Sequence, residues 1–351
     1  MTTSSLFHFP VTRRLFGRLT LASFACMGLI HTPAAHARDE LKEAPVPAQI
    51  KTEQAVSGTL SPLLASLPDG TLYSLDGTGH IVRLDTQTGA LQPPLPGLPA
   101  FSALAGNRNG LWGVTQGATP ELCNISPDGR IKSRTPLQKA VTSTSHIPAL
   151  QVGNDFAYIS DEGAPALIVV DLRTNIVRRL MINFPSLIAE TPYKRNGQIE
   201  RNAKGQRLSV GNVRYLALSQ DGKRLFYQTP PGPFFMIETV LLNDPTTSAT
   251  ELLEAMVKWR NSYCLGGLAI TPENTLYMID VEHGDLIEVP YKQLPLRLAH
   301  DMRLTQAVDM AFIPPQGTAQ AKLAILTGTG NDTETTDKMS APLKLLTIDL
   351  P

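Results

Sequence analysis

AYISDEGAPALIVVDLRTNIVRRLM, residues 157–181, is the stretch that decides the fold. It opens with alternating apolar positions, breaks at Asp161-Glu162-Gly163, runs on from Ala166 to Val170, and turns again at Asp171-Leu-Arg-Thr-Asn175. Short β-branched and aromatic runs joined by Asp, Asn and Gly turns are the local signature of antiparallel hairpins. The same order recurs from Leu72 through a Gly turn to Gly89, and again in residues 272–289, PENTLYMIDVEHGDLIEV. One hairpin is therefore an instance of a repeat.

Aligning the chain on this pattern gives six units, 62–96, 101–137, 146–182, 213–245, 265–293 and 303–350. Their turns include Pro68-Asp69-Gly70, Gly153-Asn154-Asp155, Gln220-Asp221-Gly222 and Pro272-Glu273-Asn274. Units of this length with up to four short strands predict an all-β, six-bladed β-propeller, in which radial repetition protects the sheet edges. A single β-sandwich is too small for the chain. The propeller is expected over residues 61–351, and the second half of the leader 38–60 is placed to complete the last blade.

Two stretches interrupt the repeat. Residues 183–212 form a long polar connection between the third and fourth units, the kind of loop that in compact domains carries function or mobility. Residues 327–341, poor in apolar side chains, are expected to project from the last blade. Thr247–Trp259 is the helix candidate, with Leu252, Leu253, Met256 and Trp259 at helical spacing, and an irregular outer strand as the alternative.

The first 37 residues read as an export signal: Arg13-Arg14-Leu15-Phe16, an apolar run from Leu19 to Ile30, then Ala35-His36-Ala37 as an A-x-A cleavage site. The paired arginines resemble the twin-arginine class, with Gly17 and Arg18 departing from its pattern. Cys26 lacks the upstream Leu of a lipoprotein signal. The expected location is periplasmic or secreted. No later run approaches the ~20 apolar residues of a membrane span.

Removing the signal takes away three of 31 basic residues and no acid, leaving 28 against 31 acids, a net charge of −3. No basic stripe is present, which argues against nucleic acid. Cys123 and Cys264, well separated beside apolar runs, read as two buried free thiols rather than a disulfide framework.

The stretches AYISDEGAPALIVVDLRTNIVRRLM, VRYLALSQDGKRLFYQTP, LGGLAITPENTLYMIDVEHGDLIEV and LAHDMRLTQAVDMAF together resemble the major royal jelly/yellow protein family over residues 60–315. The resemblance implies a six-bladed propeller that binds a small molecule at one mouth of its channel, with dopachrome-type tautomerisation among the family's activities. Where the family has Asp-Gly before its Leu-Ala-Leu-Ser strand, this chain has Arg214-Tyr215, and Gly266-Gly267 precedes Leu268.

In a propeller the residues just before each innermost strand, and in the neighbouring hairpin turns, converge on one face. That logic selects His146, Asn212, Arg214, Tyr215, Tyr263 and Asp309, with Glu162 and Glu282 from the turns. Asp309 stands between Val308 and Met310, where an acid needs a reason to be: a base, a metal ligand or an anchor for a cationic ligand. His146 suits proton transfer near neutral pH, and Arg214 with Tyr215 suits an anionic or aromatic ligand. Asp309, Glu162 and Asn212 are the candidate ligands for a divalent cation such as Ca²⁺. Asp161 and Asp280, at matching places, are expected to cap their own turns.

No G-x-S-x-G, H-E-x-x-H, Walker A or C-x-x-C motif occurs. The sequence thus leaves three functions open: a monomeric propeller binding a small organic molecule, an enzyme (metal-dependent lactonase or dopachrome-type tautomerase), and a protein scaffold.

Overall fold

Turn chemistry explains how the quoted stretch folds. Asp171 accepts the backbone N–H groups of Arg173 (2.9 Å) and Thr174 (3.2 Å), and Asn175 takes the left-handed conformation that ends the turn. Asp85 does the same for Gln87 and Thr88 (2.8 and 2.9 Å), with Gly89 in the left-handed position. The runs on either side become strands Phe156–Asp161, Ala166–Asp171 and Val177–Leu180, and these join Ala149–Val152 in one antiparallel sheet. Ala166 to Val170 are fully buried because both faces of the strand pack on other blades.

The computed structural model describes residues 41–328, save 203 and 209, and residues 343–351. The expected export signal and nearly all of the expected 327–341 projection lie outside these residues. Among them are six blades. Their innermost strands are Ala65–Ser66, Phe101–Asn107, Ala149–Val152, Tyr215–Leu218, Leu265–Ile270 and Ala307–Ile313. Each touches the next, and the sixth touches the first, so the ring is closed and the fold is a six-bladed β-propeller.

Two expected unit boundaries are corrected. The outer strand of blade 5, Leu296–His300, lies beyond residue 293. That of blade 4, Val257–Arg260, follows two short helices, Thr239–Asn243 and Ala249–Ala255, rather than ending near 245. Ser248 caps the second helix, accepting from the Glu251 N–H while Glu251 accepts from the Ser248 N–H. The helix stops at Ala255 because Met256 is already extended, so Trp259 sits on the strand and only Leu252 of the expected apolar face is buried on the helix.

Leader residues cross the rims of two blades. Lys42–Glu43 pair in parallel with Leu296–Arg297 on blade 5, and Ile50–Ala55 form the outermost strand of blade 6, antiparallel to Lys344–Asp349. N-terminal and C-terminal segments thus share one sheet.

The inner ring is tight. A Cβ on Gly106 would lie 1.9 Å from the Ser66 carbonyl oxygen of blade 1, and one on Gly266 would lie 2.6 Å from the Ala307 carbonyl of blade 6. Backbone is the obstacle in each case, so it cannot rotate aside. Gly106→Ala is expected to lower stability by about 3 kcal/mol or more, read as a shifted denaturant midpoint with an unchanged slope.

Candidate functional site

The inner strands enclose a channel cavity of about 580 Å³. Its wall mixes apolar side chains, Leu104, Leu150, Leu216, Leu268 and Phe312 among them, with polar groups such as Gln151, Arg214 and Asp309. At one end it opens among the hairpin turns that follow the inner strands, where Pro68, Arg108, Asn154, Gln220 and Pro272 are exposed. Hydrogen bonds tie these turns together: Arg108 to Asn154 (2.6 Å), the Gln220 N–H to Asn274 (2.7 Å) and Gln316 to the Pro68 carbonyl (2.9 Å). The other end is lined by Leu64, Arg214, Tyr215 and Asp309.

Over the starts of the inner strands of blades 4, 5 and 6 lies the 183–212 segment. Its hairpin, Lys194–Arg195 with Gln198–Ile199, bonds backbone to backbone with the blade 5 turn: the Asn196 N–H to Val281 and the Gly197 N–H to Glu282, each at 2.9 Å. Arg195 is the bolt. Its guanidinium meets Glu200 (2.8 Å) and donates to the carbonyls of Thr305 (2.5 Å) and Ala307 (3.1 Å). Tyr193 and Tyr215 both donate to the Leu265 carbonyl, at 2.8 and 2.9 Å. Arg195→Ala strips a partly buried carboxylate and two carbonyls of their donor. Limited proteolysis is expected to cut the variant within 183–212 at least tenfold faster than the parent, with the blades left intact.

Four of the expected site residues converge. Glu162, buried, receives Arg214 through two N–H groups (2.8 and 3.1 Å) and His146 Nδ1 (2.7 Å). Burial pushes the Glu162 carboxyl up, yet the His146 and Arg214 contacts outweigh it and hold it below its ordinary range. Asn212 donates to the Glu162 carbonyl (2.7 Å) and accepts from the Ala189 N–H (3.2 Å), fixing the end of the segment on blade 3.

Asp309 stands apart. Its Oδ2 accepts the Leu64 N–H at 2.6 Å, across the joint between blades 6 and 1. Desolvation by burial pushes its pKa up to about 7, against the pull of the Leu64 and Met310 N–H groups and of Arg214. Tyr215, pushed well above 10 by burial, keeps its proton.

The expected cation-binding set is not assembled. Glu162 spends its carboxylate on Arg214 and His146, Asn212 spends its amide on backbone, and Asp309 faces the channel. Among the described residues no group of three or more His, Cys, Asp or Glu is spaced to hold a metal. Glu282 pairs with Lys194 (3.3 Å), and Tyr263 offers its carbonyl to Gln228 (2.8 Å); neither lines the cavity. Asp161 and Asp280 bond their own turns, Asp161 to the Ala164 N–H (3.0 Å) and Asp280 to the Glu282 N–H (2.9 Å). Cys123 and Cys264 are free and buried, their thiols pushed up to about 11 by desolvation. Sequence reasoning missed Arg195 and Tyr193 because their partners are carbonyls more than 70 residues away, which no local spacing reveals.

No protein-family model and no curated protein matches the chain. Among solved structures, the β-propeller domain of Myceliophteria thermophila Cps50 (Swd1) is similar at 15% identity and a TM-score of 0.48, covering 87% of this chain and all of that one. Among the described residues no helix is long and apolar enough to cross a membrane.

Proposed function

We propose that the protein is an exported propeller that binds a small organic molecule inside its channel, reached from the face of the hairpin turns. One observation carries the reading: a ~580 Å³ cavity, within the range of small-molecule sites, is lined by apolar side chains together with polar groups, Arg214 and Asp309 among them at its inner end. Arg214 is held there by Glu162 rather than left to flex, so the polar groups are set before a ligand arrives. The resemblance to major royal jelly/yellow proteins supports the same reading, and the paired arginines and A-x-A site of residues 1–37 support export to the periplasm or medium.

A thermal-shift screen of small organic compounds tests it. Hits are expected to raise the midpoint of the mature chain by several degrees at saturating concentration. The shift should vanish in Ala149→Trp, which fills the channel from its wall. Hits that stabilise the filled variant equally would place binding elsewhere.

A second reading has its own observation. A carboxyl that lines the cavity, its pKa pushed up by burial to about 7, is matched to proton transfer at neutral pH, which a tautomerase needs. Loss of enolisation activity in Asp309→Asn, with ligand binding retained, would favour it.

A further inference from the structure

We propose that the hairpin at residues 200–208 docks the protein on a membrane surface carrying anionic phospholipid, with the exposed turns at the mouth of the channel facing away from it. This docking is independent of what the channel holds. Arg201 and Arg207 are paired directly across the hairpin, so two guanidinium side chains share one side of it. Like charges placed this way weaken a hairpin, and Lys204 adds a third cation at the turn. All three side chains are exposed, and among the described residues none meets a carboxylate; Arg201 donates to the Gly205 carbonyl at 2.8 Å. The arrangement is nonetheless held in shape. The Leu208 N–H donates to the Glu200 carbonyl (3.0 Å) and the Asn202 N–H to the Gln206 carbonyl (2.9 Å), while Asn202 Oδ1 accepts the Lys204 and Gln206 N–H groups, each at 3.0 Å. Arg195 fastens the base of the hairpin to the turn before blade 6 through Glu200 and the Thr305 carbonyl. Fixed, exposed and mutually repelling cations gain most from an external anion, and phosphate oxygens match the guanidinium fork.

Two features choose a surface over an enclosed anion site. None of the three cations lines the cavity; they stand on an exposed hairpin, where a sheet of phosphates can meet them together. Charge is also divided between the two faces of the ring. Residues 190–207 carry five basic side chains against Glu190 and Glu200. Arg260 ends the outer strand of blade 4 on the same face, its guanidinium stacked on Trp259 at 4.4 Å and its buried Nε without a hydrogen-bond partner. On the opposite face the six turns between first and second strands carry Asp69, Asp155, Asp221 and Glu273 against Arg108 and Lys223. A molecule so divided turns its basic end toward an anionic bilayer and its acidic end away. The export proposed above would bring it beside one.

Vesicle flotation of the mature chain tests this, with phosphatidylcholine alone and with about one third phosphatidylglycerol. At ~50 mM salt the mixed vesicles are expected to carry at least tenfold more protein than the neutral ones, and ~500 mM salt should release it. Arg201→Gln, Lys204→Gln and Arg207→Gln together should lower the partition at least tenfold, each cation near such a surface contributing about fivefold. Arg207→Gln alone, which leaves the Arg201–Gly205 bond in place, should cost about fivefold. The same loss of charge on the opposite face, Arg130→Gln with Arg173→Gln and Lys223→Gln, should leave binding within about twofold. Melting curves report folding, and the hairpin variants are expected to melt no lower than the parent because a repulsion has been removed. Equal binding to both vesicles, binding to neither, or equal losses in the two triple variants overturns the inference. Stabilisation by inorganic phosphate that the hairpin variant loses, without vesicle binding, overturns it too and would make the hairpin a free-anion site.

Discussion

A chain beginning at residue 56 is expected to melt at least 10 °C below one beginning at residue 41, or to be recovered only as aggregate. The shorter chain lacks the outermost strand of blade 6, Ile50–Ala55, and the parallel pair Lys42–Glu43 on blade 5. It also lacks the backbone bonds from Ala44 to Arg297 and from Ala48 to Leu298, both 2.8 Å. Glu53 would no longer join Arg303 (2.8 Å) and Lys344 (2.5 Å), a link between the last turn before blade 6 and its third strand. Each net hydrogen bond contributes about 1 kcal/mol, so the loss is on the order of 5 kcal/mol or more, at ~2–4 °C per kcal/mol for a domain of this size. Lys344–Asp349, whose apolar side chains are wholly buried, would become an open edge and a template for aggregation. Calorimetry on the two chains decides the matter, and equal midpoints would show that the leader is dispensable to ring closure.

Glu162→Ala is expected to lower stability by about 3–5 kcal/mol, because it leaves the Arg214 guanidinium, 14% exposed, in the protein without its carboxylate. Glu162→Gln should fall between, since an amide oxygen still accepts one N–H. If the penalty is the stranded charge, adding Arg214→Met to Glu162→Ala recovers most of it, a coupling that a double-mutant cycle reads directly. Additive losses would mean that the two residues act separately. The pH dependence has a definite sign. Glu162 titrates below its ordinary range in the folded state, so its contribution is present above the unfolded-state value near 4.3 and is lost as the pH falls through the lower folded value. Asp309 runs the other way. Its folded value is raised, so its ionisation erodes stability as the pH climbs from about 4 to about 7.

The propeller was legible in the sequence because each blade is local. Asp-x-x-Thr turns, Pro-Asp-Gly turns and alternating runs are read within a dozen residues, and the middle strands follow from them. What escaped were strands without that punctuation. Leu296–His300 follows a Pro-rich run, Val257–Arg260 follows two helices, and their membership comes from pairing rather than from pattern. The positions before the inner strands drew attention to His146, Asn212, Arg214 and Asp309, and the structure gathers Glu162 with the first three of these. Sequence alone gave no sign that Glu162 would be consumed by Arg214, nor that the 183–212 segment would lie over those residues. Those facts depend on contacts between blades. The end of the channel ringed by exposed turns lies opposite the inner-strand starts.

A crystal structure of the mature chain with the strongest hit from the screen tests the central claim most directly. The account predicts the molecule inside the channel, with its polar group against Asp309 or Arg214 and its apolar body among Leu104, Leu150, Leu216 and Leu268. A ligand seated on an outer blade surface, with the channel unchanged, would contradict it.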